Sequence, residues 1–179
     1  MNQALIVVDV QPAYGSFCDF IAKRVAQRIN NTRKPILIYW VGEGLTSDTQ
    51  EEVYDYLRSA GAYRPRLDQA AFVEKSYGFY RQWMDYGVSD DMIVSAGKAM
   101  LQHGVHSSSD LDLEELFDDA VVELPRWGDL SSPGFCDSQL KCFDRFETCG
   151  GGSEQCLAEM ELFLQIHDKP FKRLDHLVY

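Results

Sequence analysis

Residues 4–10 read ALIVVDV, and the fold class turns on them. An apolar run without polar alternation suits a strand covered on both faces, which is the habit of parallel sheets. Gln11-Pro12 closes the run, so the strand is expected at the centre of a sheet with Asp9 near its carboxyl end. Downstream, Phe17, Phe20, Ile21, Val25 and Ile29 recur at helical spacing across 17–31. KPILIYWVG (34–42) then gives a second apolar strand closed by Gly42. Strand, helix, strand with short connections implies a right-handed crossover and an α/β fold.

Further out, TSDTQEEVYDYLRSAG (46–61) reads as a helix started by Thr49 or Asp48, with acidic residues in its first turn and Gly61 at its end. AFVEKSYGFYRQWMDYG (71–87) mixes aromatics with no clean period and yields no element. SDDMIVSAGKAMLQHG (89–104) reads as a capped helix, AVVELP (120–125) as a third strand and DSQLKCFDRF (137–146) as a short helix. A fourth strand is expected around 145–149, a helix to about Ile166, and a last strand in FKRLDHLVY (171–179). Residues 1–179 are read as one three-layer α/β/α domain with a mainly parallel, Rossmann-like sheet.

The composition excludes several classes. With 45% hydrophobic residues over 179 positions the chain can bury a core without staples. A formal charge of −11 opposes nonspecific binding to nucleic acid or anionic lipid, and no apolar run is long enough to span a bilayer. The start lacks the basic region and cleavage site of a secretory signal, so a cytoplasmic setting is expected. Five cysteines, an odd number with no CxxC pair, argue for free thiols over disulfides or a zinc cluster.

One stretch concentrates the chemistry: ETCGGGSEQCLAEMELFL (147–164) puts three glycines between a strand and a helix, with Cys156 at the helix start. Unpaired amides and positive potential at a helix N-terminus favour a thiolate, so a lowered thiol pKa is expected there. The glycines would let amide hydrogens converge on a developing oxyanion. Asp9, at the edge where open α/β sheets bind ligands, would meet Cys156 as the base that deprotonates it. Taken singly, each feature also suits a plainer part: Asp9 a turn residue, Cys156 a small buried hydrophobe, the glycines a tight connection.

ALIVVDVQ (4–11) resembles the opening strand of the isochorismatase-like cysteine hydrolases. GGGSEQC (150–156), with five residues between Gly150 and Cys156, resembles that family's nucleophile turn. The resemblance implies Asp9 as base, Cys156 as nucleophile, the amides of Gly152 and Cys156 as oxyanion hole, and an unusual peptide bond near Gly151-Gly152. It also implies a lysine after a middle strand, and here the sequence departs from the pattern. In VVELPRWGDLSSPGF (121–135), Arg126 or Trp127 stands near that place. Arginine does not readily exchange a proton, so the swap is not conservative. Lys75 in FVEKSYGF (72–79) has the local look of the lysine motif but comes earlier in the chain. Metal-binding members use an aspartate and histidines after the second strand; VGEGLTSDT (41–49) has Asp48 and no histidine, so neither metal nor cofactor is expected.

The resemblance implies a hydrolase of small amides or related C–N or C–O bonds, and a homodimer. Two other readings compete with it. One is a degenerate relative that binds a metabolite or protein partner without turnover. The other is an acidic structural or regulatory subunit that uses the aromatics Tyr77, Phe79, Tyr80, Trp83 and Tyr86 as an interface; these also suit a core or a pocket wall for a planar substrate.

Overall fold

The computed structural model describes residues 2–42, 45–75, 81–104, 110–112, 115 and 140–179. Within them, five strands form one parallel sheet in the order β3-β2-β1-β4-β5: β1 Gln3–Val8, β2 Ile36–Trp40, β3 Ala71–Glu74, β4 Arg145–Gly150 and β5 Phe171–Arg173. The helices are α1 Gly15–Asn31, α2 Gln50–Ser59, α3 Arg64–Leu67, α4 Arg81–Asp85, α5 Asp90–His103 and α6 Cys156–Ile166. No helix among the described residues is long and apolar enough to cross a membrane.

β1 is central, as its composition predicts, and Ala4 through Val8 have no solvent exposure. Alternate side chains of β1 serve two cores. Ala4, Ile6 and Val8 pack with Ile93, Ala96 and Met100 of α5 and with Leu157, Met160 and Leu164 of α6. Leu5 and Val7 pack on the other face with Ile21, Val25 and Ile29 of α1 and Val53 and Leu57 of α2. Each fully buried Leu, Ile or Val contributes about 1.5–3 kcal/mol, so two covered faces explain why no polar residue interrupts residues 4–8.

Local signals set the helix ends. Thr49 accepts from the Glu52 amide while the Glu52 carboxylate accepts from the Thr49 amide, a reciprocal cap that starts α2. Ser89 caps α5, and Gly104 ends it in the left-handed conformation. Three expectations change: of the helix read at 137–146, Leu140 and Lys141 are helical among the described residues, while Arg145 and Phe146 already belong to β4. Residues 71–74, left without an element by the sequence, form β3 at the sheet edge. The last strand is only Phe171–Arg173; the chain then turns through a short 3-10 helix at Asp175–Leu177. The strand read at 120–125 lies outside the described residues.

The register aligns the strand ends that matter. Val8 sits level with Tyr39 on one side and Gly150 on the other, and Trp40 is level with Glu74. Asp9 continues the ladder by donating its amide to the Tyr39 carbonyl at 2.9 Å, and Lys75 does so to Trp40 at 2.8 Å. Asp9, Lys75 and the glycine turn after β4 therefore leave the sheet at one edge.

Candidate active site

Three segments distant in sequence meet at that edge. Asp9 follows the last residue of β1 with φ 50°, a left-handed conformation that aspartate tolerates better than most residues. Its carboxylate is fully buried, and Lys75 Nζ lies 2.9 Å from Oδ2 with the lysine only 5% exposed. Cys156 is the first residue of α6, and its thiol interacts with the Asp9 carboxylate and with the Lys75 charge. Lys75, the earlier-lying lysine of the sequence reading, thus stands against Asp9 because β3 ends one residue before it. Arg126 and Trp127 lie outside the described residues.

The electrostatics differ from the sequence expectation for Cys156. Burial first, and then the negative charge of Asp9, push the thiol up to about 12, against a smaller opposing pull from Lys75. Desolvation and a neighbouring carboxylate thus dominate the thiol, and the resting group is a neutral thiol beside a carboxylate. For Lys75 the largest single influence is burial, which disfavours its charge. Attraction to Asp9, then Cys156, then the hydrogen bond to Asp9 and the charge of Glu159 outweigh it, and the ammonium is held above its ordinary range. Glu159, buried one turn along α6, escaped the sequence reading; only its three-residue spacing from Cys156 could have signalled it.

The turn between β4 and α6 needs its glycines. Gly150 has φ 76°, and a Cβ there would lie 2.3 Å from the Val8 carbonyl oxygen and 2.7 Å from Val10 Cγ2. Gly151 has φ 58°, with a Cβ position 3.0 Å from the Leu157 amide nitrogen. The Gly152 carbonyl accepts from Gln155 and Leu157 at 3.0 and 3.2 Å, while the amides of Gly152 and Cys156 donate no backbone hydrogen bond among the described residues. Those are the two donors the sequence reading singled out. The described peptide bonds are all trans, so the unusual bond expected near Gly151-Gly152 is corrected: the positive φ of two successive glycines makes the turn instead.

A pocket of about 450 Å³ opens over this turn, and its described lining is Gly152 to Cys156 with Tyr14, Phe17 and Tyr179. Tyr179, which carried no signal in the sequence, stacks on Phe17 with ring centroids 6.3 Å apart. Of the aromatic group, Trp83 is buried in the core and Tyr86 is exposed, while Tyr77, Phe79 and Tyr80 lie outside the described residues. Asp48 accepts from Gln11 Nε2 at 2.7 Å and from the Ala13 amide at 2.9 Å, which ties the loop after β1 to the one after β2. Gln11 completes that tie by pairing with both the amide and the carbonyl of Val41. Among the described residues no group of three or more His, Cys, Asp or Glu is arranged to hold a metal ion.

No protein-family model matches the sequence, and a search of curated proteins finds no match. Among solved structures, the chain is similar to the MAR1 ribonuclease from Caenorhabditis elegans at 10% sequence identity and a TM-score of 0.49. The match covers 99% of this chain and 64% of that one, so this chain spans less than two thirds of the length of its structural neighbour.

Proposed function

We propose that this protein is a cysteine-dependent hydrolase of small amides, or of related C–N or C–O bonds. Cys156 is the nucleophile, Asp9 the base and Lys75 the cation that steadies charge between them. The observation that carries this reading is the buried Asp9–Lys75 ion pair, 2.9 Å long, beside the Cys156 thiol. Desolvating two charges costs several kcal/mol per ion, and apolar residues would serve stability as well. Such a pair at the ligand-binding edge of a parallel sheet, next to a nucleophile, is better explained by chemistry.

In this mechanism the thiol proton passes to Asp9 as sulfur attacks the carbonyl carbon, so that no free thiolate accumulates at rest. The amides of Gly152 and Cys156 receive the oxyanion. Collapse of the tetrahedral adduct expels the amine, which takes the proton from Asp9, and leaves a thioester on Cys156. Asp9 then deprotonates a water that cleaves the thioester, giving a carboxylic acid and the free thiol. Lys75 keeps its charge throughout and offsets the negative charge that builds up as the proton moves.

The test is acid quench of the protein with a panel of small amides, followed by intact-mass detection of an acyl adduct. Wild type is expected to accumulate an adduct on Cys156, and Cys156→Ala to form none. Turnover surviving in Cys156→Ala would sink the reading. Arg126 stays the alternative cation: Arg126→Met is expected to keep turnover and Lys75→Met to lose it. A second reading, binding of a metabolite or protein partner without turnover, is favoured by the thiol's being held neutral up to about 12. It predicts saturable binding with no adduct from any member of the panel.

A further inference from the structure

Tyr179 spans the two halves of the site. Its hydroxyl donates to the Asp9 carbonyl oxygen at 3.3 Å. Its own amide donates to the Gly151 carbonyl at 3.2 Å, and its carbonyl accepts from the Ser153 amide at 2.8 Å. One residue thus grips the backbone of the base with its side chain and the backbone of the nucleophile turn with its main chain.

Asp9 needs such a grip. A non-glycine residue at φ 50° carries about 1–3 kcal/mol of backbone strain and persists only where its surroundings over-determine it. The contacts holding it are its amide on Tyr39, its carboxylate on Lys75 and its carbonyl under the Tyr179 hydroxyl. We propose that Tyr179 is a positioning residue that locks the Asp9 backbone against the Gly151–Ser153 turn and so holds the carboxylate against the Cys156 thiol. Burial first, and then the negative charge of Asp9, keep the phenol protonated well beyond the usual range, so it remains a donor at every working pH.

This inference rests on the proposed pairing of Asp9 with Cys156, and its test separates the two. The readout is the pH profile of iodoacetamide alkylation at Cys156, mapped by mass spectrometry on the intact chain. The charged and titratable groups facing that thiol are Asp9 after β1, Lys75 after β3, Glu159 on its own helix and Tyr179 itself. Asp9→Asn removes the charge that raises the thiol, so the apparent pKa of Cys156 is expected to fall by roughly one unit or more. The rate at pH 8 then rises only about three- to fourfold per unit, since thiolate gains tenfold while nucleophilicity drops with a Brønsted coefficient of about 0.4–0.5.

The same Asp9→Asn change is then made in a Tyr179→Phe background, which keeps the ring and loses the hydroxyl. The shift is expected to shrink to less than half, because the carboxylate is no longer held on the thiol. Phe17→Leu, which removes only the stacking partner, is expected to leave the shift intact. A full shift in Tyr179→Phe overturns the positioning role while the pairing of base and nucleophile stands. A shift that shrinks equally in Phe17→Leu also overturns it, since packing rather than the hydroxyl would then be responsible. If Asp9→Asn moves nothing even with Tyr179 present, the proposed pairing fails, and this inference fails with it.

Discussion

Cys149 and Cys156 lie seven residues apart on either side of the glycine turn, and both thiols are pushed up to about 12, for different reasons. Cys149, inside β4, is raised by complete burial, and its thiol donates to the Ile6 carbonyl at 3.5 Å. Cys156, at the start of α6, is raised by burial and by Asp9, with Lys75 pulling the other way. At Cys149 the charges that act on the thiol, Arg28 and Glu147, pull in opposite directions and each counts for less than burial. Cys156 has the Asp9 carboxylate beside it, and in the proposed mechanism that carboxylate takes its proton when a substrate arrives. A raised pKa therefore does not by itself separate a structural cysteine from a nucleophile; the neighbouring charges do.

The widest split between the two cysteines is expected in turnover. Cys156→Ala should lower it by a factor of about 10³ or more, as removal of a nucleophile does in other covalent hydrolases. Cys149→Ala should leave it within a factor of about three and cost on the order of 1 kcal/mol of stability. Hydrolysis assays on the best amide of a panel, with urea unfolding of each variant, measure both. Equal losses from the two variants would erase the distinction. Next in size is Lys75→Met, which strands the Asp9 carboxylate in the interior and should cost about 3–5 kcal/mol in urea unfolding. Adding Asp9→Asn removes the stranded charge and should recover part of that loss. No recovery would mean that Lys75 stabilises the fold through packing and not through Asp9.

Most of the frame around these cysteines was legible in the sequence, because its elements carry redundant signals. β1 and β2 are uninterrupted apolar runs, α2 and α5 have capping residues at their starts, and the glycine turn ends β4 where the spacing to Cys156 implies. β3 was not legible. Four residues at a sheet edge, AFVE, with only Val73 buried, are too short for a period and too mixed for an apolar run. That gap spread to the site: with no strand ahead of it, Lys75 had no reason to point at Asp9, and chain order favoured Arg126. Tyr179 was invisible for another reason, since its contacts depend on the turn at Asp175–Leu177 and on backbone groups of the glycine loop that no side-chain pattern encodes.

The turn between the two thiols gives the next prediction. Gly150→Ala forces an L side chain into a left-handed conformation and drives its Cβ against the Val8 carbonyl. Strain and overpacking together should cost about 2–4 kcal/mol in urea unfolding. The displacement falls on both sides of the turn, so Cys156 should also lose its dependence on Asp9 in the alkylation profile. A variant as stable as wild type would mean that the close approach of β1 and β4 relaxes easily, and the turn would no longer explain how Cys156 is aimed.

The smallest effect tests what the two thiols share. Each has a folded pKa of about 12 against 9.0 for an ordinary thiol. Below pH 9 both folded and unfolded chains hold these protons, and the contribution to stability is intact. Above it the unfolded chain releases protons that the folded chain keeps, so stability falls as pH rises, by about 1.4 kcal/mol per pH unit for each thiol until its folded pKa is reached. Cys18, also raised chiefly by burial, adds to the slope. Tyr54, Tyr56 and Tyr179 are raised too and add their own slope as unfolded tyrosines titrate toward pH 10, so each thiol's share in the window from pH 9 to 10 is read as the difference between a variant and wild type, in which the tyrosine part cancels. Urea unfolding across that window should lose one thiol's share of the slope in Cys149→Ala and the same share in Cys156→Ala. Carried on to about pH 11, the same measurement in Asp9→Asn should show the Cys156 share levelling off while that of Cys149 continues unchanged. If Asp9→Asn leaves both alike, the carboxylate does not act on Cys156, and the two cysteines are the same kind of residue after all.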